Sequence, residues 1–174
     1  MELRFVHPSL THIDDLDSEV LMCSVWSDTR PSHGVAGLCD FRLGGWISSL
    51  ERRGDITGAL GETVLLPGKP RLPFDKIVIF GAGPRASFNE RVLEDLVERI
   101  LRAADNLGAR AVVLELPGRH DGLVAAERAA DALLSAAGRA RERRRRAASG
   151  GRCVGAMRTG QGAPHRRVEP AGRY

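Results

Sequence analysis

The segment that decides the fold is RRGDITGALGETVLLPG, which runs from Arg52 to Gly68. Its spaced glycines, Gly54, Gly58 and Gly61, supply backbone freedom that residues with a Cβ lack. The next four residues, 63–66, have the composition of a short buried strand, and a Pro-Gly pair stops it. The segment therefore predicts a shaped turn that leads directly into a strand.

Apolar runs on either side of this segment predict further strands. Residues 20–26 form a near-continuous apolar run, typical of a strand covered on both faces, and residues 75–80 form another. Partial alternation over residues 2–7 predicts an opening strand, and the acidic stretch 14–19 is expected to be a solvated turn. That stretch lacks the fixed ligand spacing that a hard-cation loop needs.

Helical periodicity alternates with these strands. Residues 35–53 approximate one helix despite Gly44 and Gly45, and Trp46 is expected in the core. Residues 87–107 present one apolar face, with a capping box from Ser87 to Glu90 and Gly108 as the stop. A strand at 111–116 and a helix from about 121 to 138 follow. Strand, helix and strand over 75–116 predict a parallel pair with a right-handed crossover, and hence an α/β layered domain.

The charge of the chain is divided unevenly along its length. Residues 138–174 hold 11 Arg, no Lys and two acidic residues, which gives a net charge of +9. Subtracting these from the whole-chain totals of 26 basic and 22 acidic residues leaves 15 and 20, a net charge of −5 for residues 1–137. We therefore predict one folded domain over 1–137 and a disordered Arg/Gly/Ala-rich tail over 138–174, which has too little apolar surface to offset chain entropy.

Other protein classes are disfavoured by what the sequence lacks. No apolar run approaches the roughly 18 residues of a membrane span, and the amino end has no signal-peptide pattern, so a cytoplasmic protein without a membrane partner is expected. The three cysteines, Cys23, Cys39 and Cys153, are widely spaced and form no Cys-x-x-Cys pair. Free thiols are therefore favoured over a disulfide framework or a zinc site.

Taken in order, these motifs resemble the amino-terminal domain of the leucyl aminopeptidase (cytosol aminopeptidase) family. The resemblance rests on the Gly-x-x-Gly-Glu segment from Gly58 to Glu62, the Gly-x-Gly from Gly81 to Gly83, the long helix after it, and the return at 106–114. It covers roughly residues 19–137. The resemblance implies a macro-domain-like three-layer sandwich, in which helices flank a mixed sheet.

The resemblance also implies what this chain lacks. In the family, a second and larger domain holds two divalent metals, usually zinc, manganese or magnesium, through a Lys, several Asp and a Glu. After Gly138 this chain has only Glu142 and Glu169 as acids, and no Lys. Because two bridging metals need several converging carboxylates, we expect no metal cofactor and no aminopeptidase activity from this chain alone.

Two explanations of the chain remain open at this point. It is either a stand-alone non-catalytic domain that acts in assembly or regulation, as a homo-oligomer or with a full-length aminopeptidase, or a truncated or out-of-frame family member. The second explanation has support from the tail composition, because Gly, Ala, Arg and Pro share GC-rich codons.

Three further sites are candidates from the sequence. Gly81, Gly83 and Arg85 precede a helix and could bind a phosphate, such as that of ADP-ribose, although a tight strand-to-helix turn is the favoured explanation. The run Arg139–Arg146 could bind nucleic acid weakly and without sequence preference. Histidines beside acids, such as His12 near Asp14 or His120 beside Asp121, could pair in a site, although surface histidines are the simpler interpretation. No catalytic residue is assigned.

Overall fold

The structure is a computed structural model that describes residues 5–150, with side chains up to residue 145. It contains four strands and five α-helices in this range. In chain order they are α1 (Leu10–Asp14), β1 (Val20–Val25), α2 (Gly34–Arg42), α3 (Trp46–Arg53), β2 (Thr63–Pro67), β3 (Lys76–Gly81), α4 (Glu90–Asn106), β4 (Val112–Leu114) and α5 (Ala126–Gly150), with a short 3-10 turn at Arg85–Ser87 before α4.

The four strands form one mixed sheet in the order β2-β3-β1-β4. The central strand β1 is parallel to both β3 and β4, and β2 is antiparallel to β3 at the edge. Strands β3 and β4 run parallel to each other, as predicted, but they are not neighbours, because β1 lies between them. The apolar run at 20–26 explains this result, since a strand buried on both faces belongs at the centre of a sheet.

Helices cover both faces of the sheet, as the predicted three-layer sandwich requires. Alternate residues of β1 and β3 point to opposite faces. Leu21, Cys23 and Ile79 pack in one cluster with residues of α2 and α3, whereas Met22 and Phe80 pack with α4 on the other face. A third cluster joins α4 to α5. The predicted fold class is confirmed.

The predicted single helix over 35–53 is in fact two helices. Gly44 and Gly45 both have positive φ, at 69° and 79°, so the backbone turns there and α3 starts afresh at Trp46. Trp46 was expected in the core, but it is 37% exposed because it stands at the first turn of α3 beside this corner. The glycines therefore break the helix that the sequence pattern predicted to be continuous.

The long helix α4 begins two to three residues later than predicted. Its N-cap is Asn89, whose side chain accepts a hydrogen bond from the Val92 N–H at 3.1 Å, while Ser87 belongs to the preceding 3-10 turn. At the other end, Gly108 has a φ of 64°, as expected for a left-handed stop. Along α4, Glu98 and Arg102 form an i,i+4 ion pair at 2.9 Å, and Arg99 bonds to Gly61 and Thr63.

The ends of the described range differ from the sequence predictions. Residues 5–7 form no strand, and the rest of the predicted opening strand lies outside the described residues. Residues 10–14 form α1, where the acidic turn was expected to begin. Helix α5 continues through Gly138 to Gly150, because the Ala and Arg residues beyond Gly138 favour helix. Most of the predicted tail, 151–174, lies outside the described residues. Among the residues described, no helix is both long and apolar enough to cross a membrane.

Candidate functional site

The glycine-rich turn at residues 57–62 is closed by Glu62. Its carboxylate accepts hydrogen bonds from the Thr57 N–H at 3.0 Å, the Thr57 hydroxyl at 3.0 Å and the Gly58 N–H at 2.7 Å. Charge-assisted bonds of this kind are stronger than neutral ones. The Gly-x-x-Gly-Glu segment is therefore a self-capped loop, and its glutamate has a structural role.

Glycines in this turn and at the end of β3 let three strand ends lie in backbone contact. A Cβ on Gly58 would overlap the backbone of Trp26 after β1, and a Cβ on Gly81 would overlap the carbonyl of Ala59. The Gly83 N–H donates to the Gly58 carbonyl at 2.9 Å, which joins the end of β3 to the turn. Backbone contact this close excludes any side chain, so glycine is required at positions 58 and 81.

The predicted phosphate donors at Gly81, Gly83 and Arg85 all make bonds within the chain. The Gly81 N–H donates to Glu62 and the Gly83 N–H to Gly58. The Arg85 N–H donates to the carboxylate of Asp28 at 3.0 Å, and the Arg85 guanidinium lies 3.2 Å from Asp121. Two carboxylates of the chain thus stand where a bound phosphate would have to stand. Phosphate binding there remains a sequence prediction.

The loop after β1 is fixed by an ion pair between an exposed arginine and a buried glutamate, which the sequence did not indicate. Arg30 donates to the carbonyl of Trp26 and to that of Thr57, the latter at 2.8 Å, and lies 3.7 Å from Glu51 on α3. The side chain of Glu51 is only 2% exposed and also accepts from the Ser32 hydroxyl. A lone Arg and a lone Glu 21 residues apart give no spacing signal, so only the fold shows that they meet.

A small polar cavity of about 10 Å³ lies at the carboxyl ends of β1 and β4, enough for about one water molecule. Parallel α/β sheets commonly place ligand sites at this edge. The cavity is bounded by the end of β1, the start of α2 and the segment after β4, through Ser24, Val25, Trp26, Ser32, His33, Gly34, Glu115, Gly118, His120 and Asp121.

Glu115 is the central group of this cavity. Its carboxylate accepts hydrogen bonds from the Val35 N–H of α2 at 3.2 Å and, at 3.5 Å, from the Ser24 N–H of β1. Burial raises the pKa of Glu115 to about 7, and the nearby charge of Asp121 adds to the rise, while the two N–H donors oppose it. The carboxyl group is buried, although the residue as a whole keeps some exposure.

Asp121 holds the rim of the cavity in place. It accepts a hydrogen bond from the indole N–H of Trp26 at 2.7 Å and pairs with Arg85. The Trp26 ring in turn meets Phe88 edge to face, with 4.9 Å between ring centroids. Asp121 thus bonds to Trp26 and Arg85, and these bonds fix the loop that follows β4.

The histidines divide between this cavity and the amino end. His33 and His120 line the cavity beside Asp121, but the described side chains record no bond between His120 and Asp121, which bonds instead to Trp26 and Arg85. His12 does not pair with its acidic neighbours, because its ring Nδ1 bonds the His7 carbonyl at 3.0 Å and the Ser9 hydroxyl at 2.9 Å. Among the residues that line the cavity, the structure records no nucleophilic side chain that is hydrogen-bonded to a general base.

In the described part of the chain, the cysteines and the acidic residues do not form a metal centre. Cys23 and Cys39 are buried free thiols, and burial raises the pKa of Cys39 to about 12. No group of three or more His, Cys, Asp or Glu among the described residues could hold a metal ion. Cys153 lies outside the described residues.

The fold and this edge of the sheet define a macro-domain-like α/β domain. The chain aligns with the solved macrodomain of Mycobacterium tuberculosis DarG at a TM-score of 0.58 and 19% identity, over 71% of this chain and 84% of the other. It aligns with a mutant of tomato leucine aminopeptidase at a TM-score of 0.52 and 17% identity, over 70% of this chain and 25% of the other. At these identities the likeness is one of fold.

The family is shown by the sequence. Residues 25–146 match the model of the amino-terminal domain of the cytosol aminopeptidase family, so the chain belongs to that family. It is 38% identical over 90 residues to the probable cytosol aminopeptidase of Halorhodospira halophila, covering 52% of this chain and 18% of the relative. It is 34% identical over 76 residues to that of Actinobacillus pleuropneumoniae serotype 5b, covering 44% and 15%. The chain thus matches less than a fifth of the length of these relatives, and the resemblance inferred from the motifs is confirmed.

Proposed function

We propose that this chain is a non-catalytic module of the cytosol aminopeptidase family that acts by binding a catalytic chain of the same family. The observation that carries the proposal is the state of the carboxyl edge of the sheet. There, Glu62, Asp28 and Asp121 bond to groups of the chain itself, and the cavity beside them has room for about one water molecule. An edge built in this way supports a scaffold better than a reaction site.

The distribution of acids supports the proposal that the chain is non-catalytic. Hydrolysis by two metals requires several carboxylates that converge on both ions. Among the described residues, Glu51 and Glu19 pair with separate arginines, Arg30 and Arg110, and no group of three or more His, Cys, Asp or Glu could hold a metal ion. This arrangement supports a chain that works without the two metals of the family's catalytic domain.

The surface proposed for the partner is the corner between α2 and α3. Phe41 near the end of α2 is 68% exposed, and Trp46 at the start of α3 is 37% exposed. Single exposed apolar residues are common on any protein, but two large aromatics on either side of one sharp turn are a better candidate contact. The occupant we propose is the catalytic chain, because the matched relatives carry this domain within a much longer chain.

The catalytic half of this proposal is tested by hydrolysis of leucyl-p-nitroanilide by the purified chain with added manganese or zinc. No turnover above the metal blank is expected. Metal-dependent turnover that co-purifies with the chain would contradict a non-catalytic role.

The binding half is tested with the purified full-length cytosol aminopeptidase of the same organism. Phe41→Ser should weaken binding at least tenfold, whereas Leu134→Ser, which removes a 54% exposed leucine from α5, should leave it unchanged. Equal affinities for both variants would reject the α2–α3 corner as the contact. Sedimentation of the chain alone separates this arrangement from a homo-oligomer.

A further inference from the structure

The second half of α5 is strongly basic. Residues 139–146 contain six arginines and one acid, Glu142, and the helix includes all of them. The apolar stripe of α5 that packs into the domain ends at Ala140, which is 8% exposed. Beyond that residue the described side chains of α5, 141–145, are all exposed. This half of the helix is therefore held to the domain by charge more than by apolar burial.

Three of these arginines are bound to carboxylates of α4. Arg143 lies 2.8 Å and Arg139 lies 3.9 Å from Glu98, and Arg144 pairs with Asp105. Glu98 also pairs with Arg102, which is the largest cause of its lowered pKa. Glu98 is thus ionised at neutral pH and attracts three arginines at once.

Two other arginines point away from α4. Arg141 and Arg145 are four residues apart, so they lie on one face of the helix, opposite the stripe of Ala136 and Ala140. Both are exposed, and no ion pair is recorded for either among the side chains that the structure describes. They form the outer arginine face.

We propose that α5 binds the phosphate backbone of duplex DNA through the outer arginine face. Glu98 and Asp105 restrain this binding by holding the inner arginines, which are Arg139, Arg143 and Arg144. Arginine suits this role because its guanidinium bonds phosphate oxygens in pairs. No aromatic residue occurs in α5, so stacking on unpaired bases has no support and a duplex is the fitting ligand. Such binding is independent of sequence and depends on salt.

The α4 carboxylates and the DNA phosphates compete for the inner arginines. Substitution of the outer arginines and substitution of the carboxylates should therefore have opposite effects on DNA affinity. Removing the outer arginines removes phosphate contacts. Removing the α4 carboxylates frees Arg139, Arg143 and Arg144 for phosphate, so affinity should rise. A basic tail with no fixed structure would show only the first effect, because carboxylates on α4 would not hold its arginines.

The test measures fluorescence anisotropy of a short labelled DNA duplex with the full chain at several salt concentrations. We expect Arg141→Gln with Arg145→Gln to weaken binding and to lower the slope of log affinity against log salt by about 2, since each phosphate contact contributes ~0.9. Arg91→Gln with Arg128→Gln removes the same charge at the other end of α4 and α5, and should have a smaller effect on both. Glu98→Gln with Asp105→Asn should tighten binding and steepen the slope.

Equal effects of the two arginine pairs would overturn the outer arginine face, as would the absence of any duplex binding at about 50 mM salt. Unchanged or weaker binding by the carboxylate variant, with its helix content intact by circular dichroism, would overturn the restraint. Binding to heparin without binding to the DNA duplex would also reject the proposal. The outer arginine pair is exposed, so its substitution tests the site even if the carboxylate variant unfolds.

Discussion

Glu115 shows how one buried carboxylate couples three parts of the domain. It follows β4, accepts from the first turn of α2, and faces the end of β1. Its contacts are all neutral donors, and no cation pairs with it among the described side chains. The charged form is therefore disfavoured by burial, which is why the pKa is raised to about 7.

The raised pKa predicts a specific dependence of stability on pH. A carboxyl group whose pKa is higher in the folded than in the unfolded state stabilises the fold at low pH, and this contribution is lost as pH rises from about 4.5 towards 7 and slightly above. The loss is on the order of 3 kcal/mol, since each unit of pKa difference corresponds to about 1.4 kcal/mol.

Glu115→Gln should remove this dependence, because the amide oxygen can still accept from the Val35 N–H without a buried charge. Urea unfolding at pH 5 and pH 8 checks it: the variant should gain stability over the native chain at pH 8 and show little difference at pH 5. A constant difference between the two proteins at both pH values would show that Glu115 does not titrate in this window.

Gly81 gives a second prediction at this scale. Gly81→Ala would drive a methyl group into the Ala59 carbonyl, so we expect a loss of at least about 3 kcal/mol in the free energy of unfolding. Gly108→Ala is the matched control, because Gly108 has positive φ but open space around it. It should cost only about 1 to 2 kcal/mol, the cost of the left-handed conformation. Similar losses at both sites in urea unfolding would argue against the close contact.

The turn at 57–62 behaves as one element, and its stability depends on Glu62. Glu62→Ala would leave the Thr57 and Gly58 N–H groups without their shared acceptor. We expect a loss of about 2 kcal/mol and faster amide exchange at Thr57 and Gly58. Asp55→Ala is the control, since the Asp55 side chain pairs with the exposed Arg53 at the end of α3. If exchange at Gly58 is unchanged in Glu62→Ala, water replaces the carboxylate and the closed loop has no structural importance.

At the scale of elements, local patterns were predictable and long-range partners were not. The strands β1, β2 and β3 and the stop at Gly108 follow from runs and turns within a few residues. The insertion of β1 between β3 and β4 depends on contacts over 50 to 90 residues, which no local pattern encodes.

The site shows the same limit. The glycines of 58–83 were identified as shape-determining, and His120 with Asp121 as a possible pair. Glu115 and Glu51 were missed because each is a single acid within an ordinary strand end or helix. A charged residue at the end of an apolar strand, as in Leu114-Glu115-Leu116, is the one signal that could have indicated Glu115.

For the molecule as a whole, the family match covers one domain of relatives that are much longer. Residues 25–146 match the amino-terminal domain of the cytosol aminopeptidase family, whereas the matched relatives extend far beyond it. The described domain has a complete core on both faces of its sheet. It therefore has the construction of a single folded unit.

The most direct test of this role is sedimentation velocity of the purified chain mixed with the full-length cytosol aminopeptidase of the same organism. We predict that the labelled chain sediments with the aminopeptidase in one fast boundary, and that excess unlabelled native chain displaces it while excess Phe41→Ser chain does not. Two separate boundaries at micromolar concentrations of both proteins would contradict a role in binding the catalytic chain.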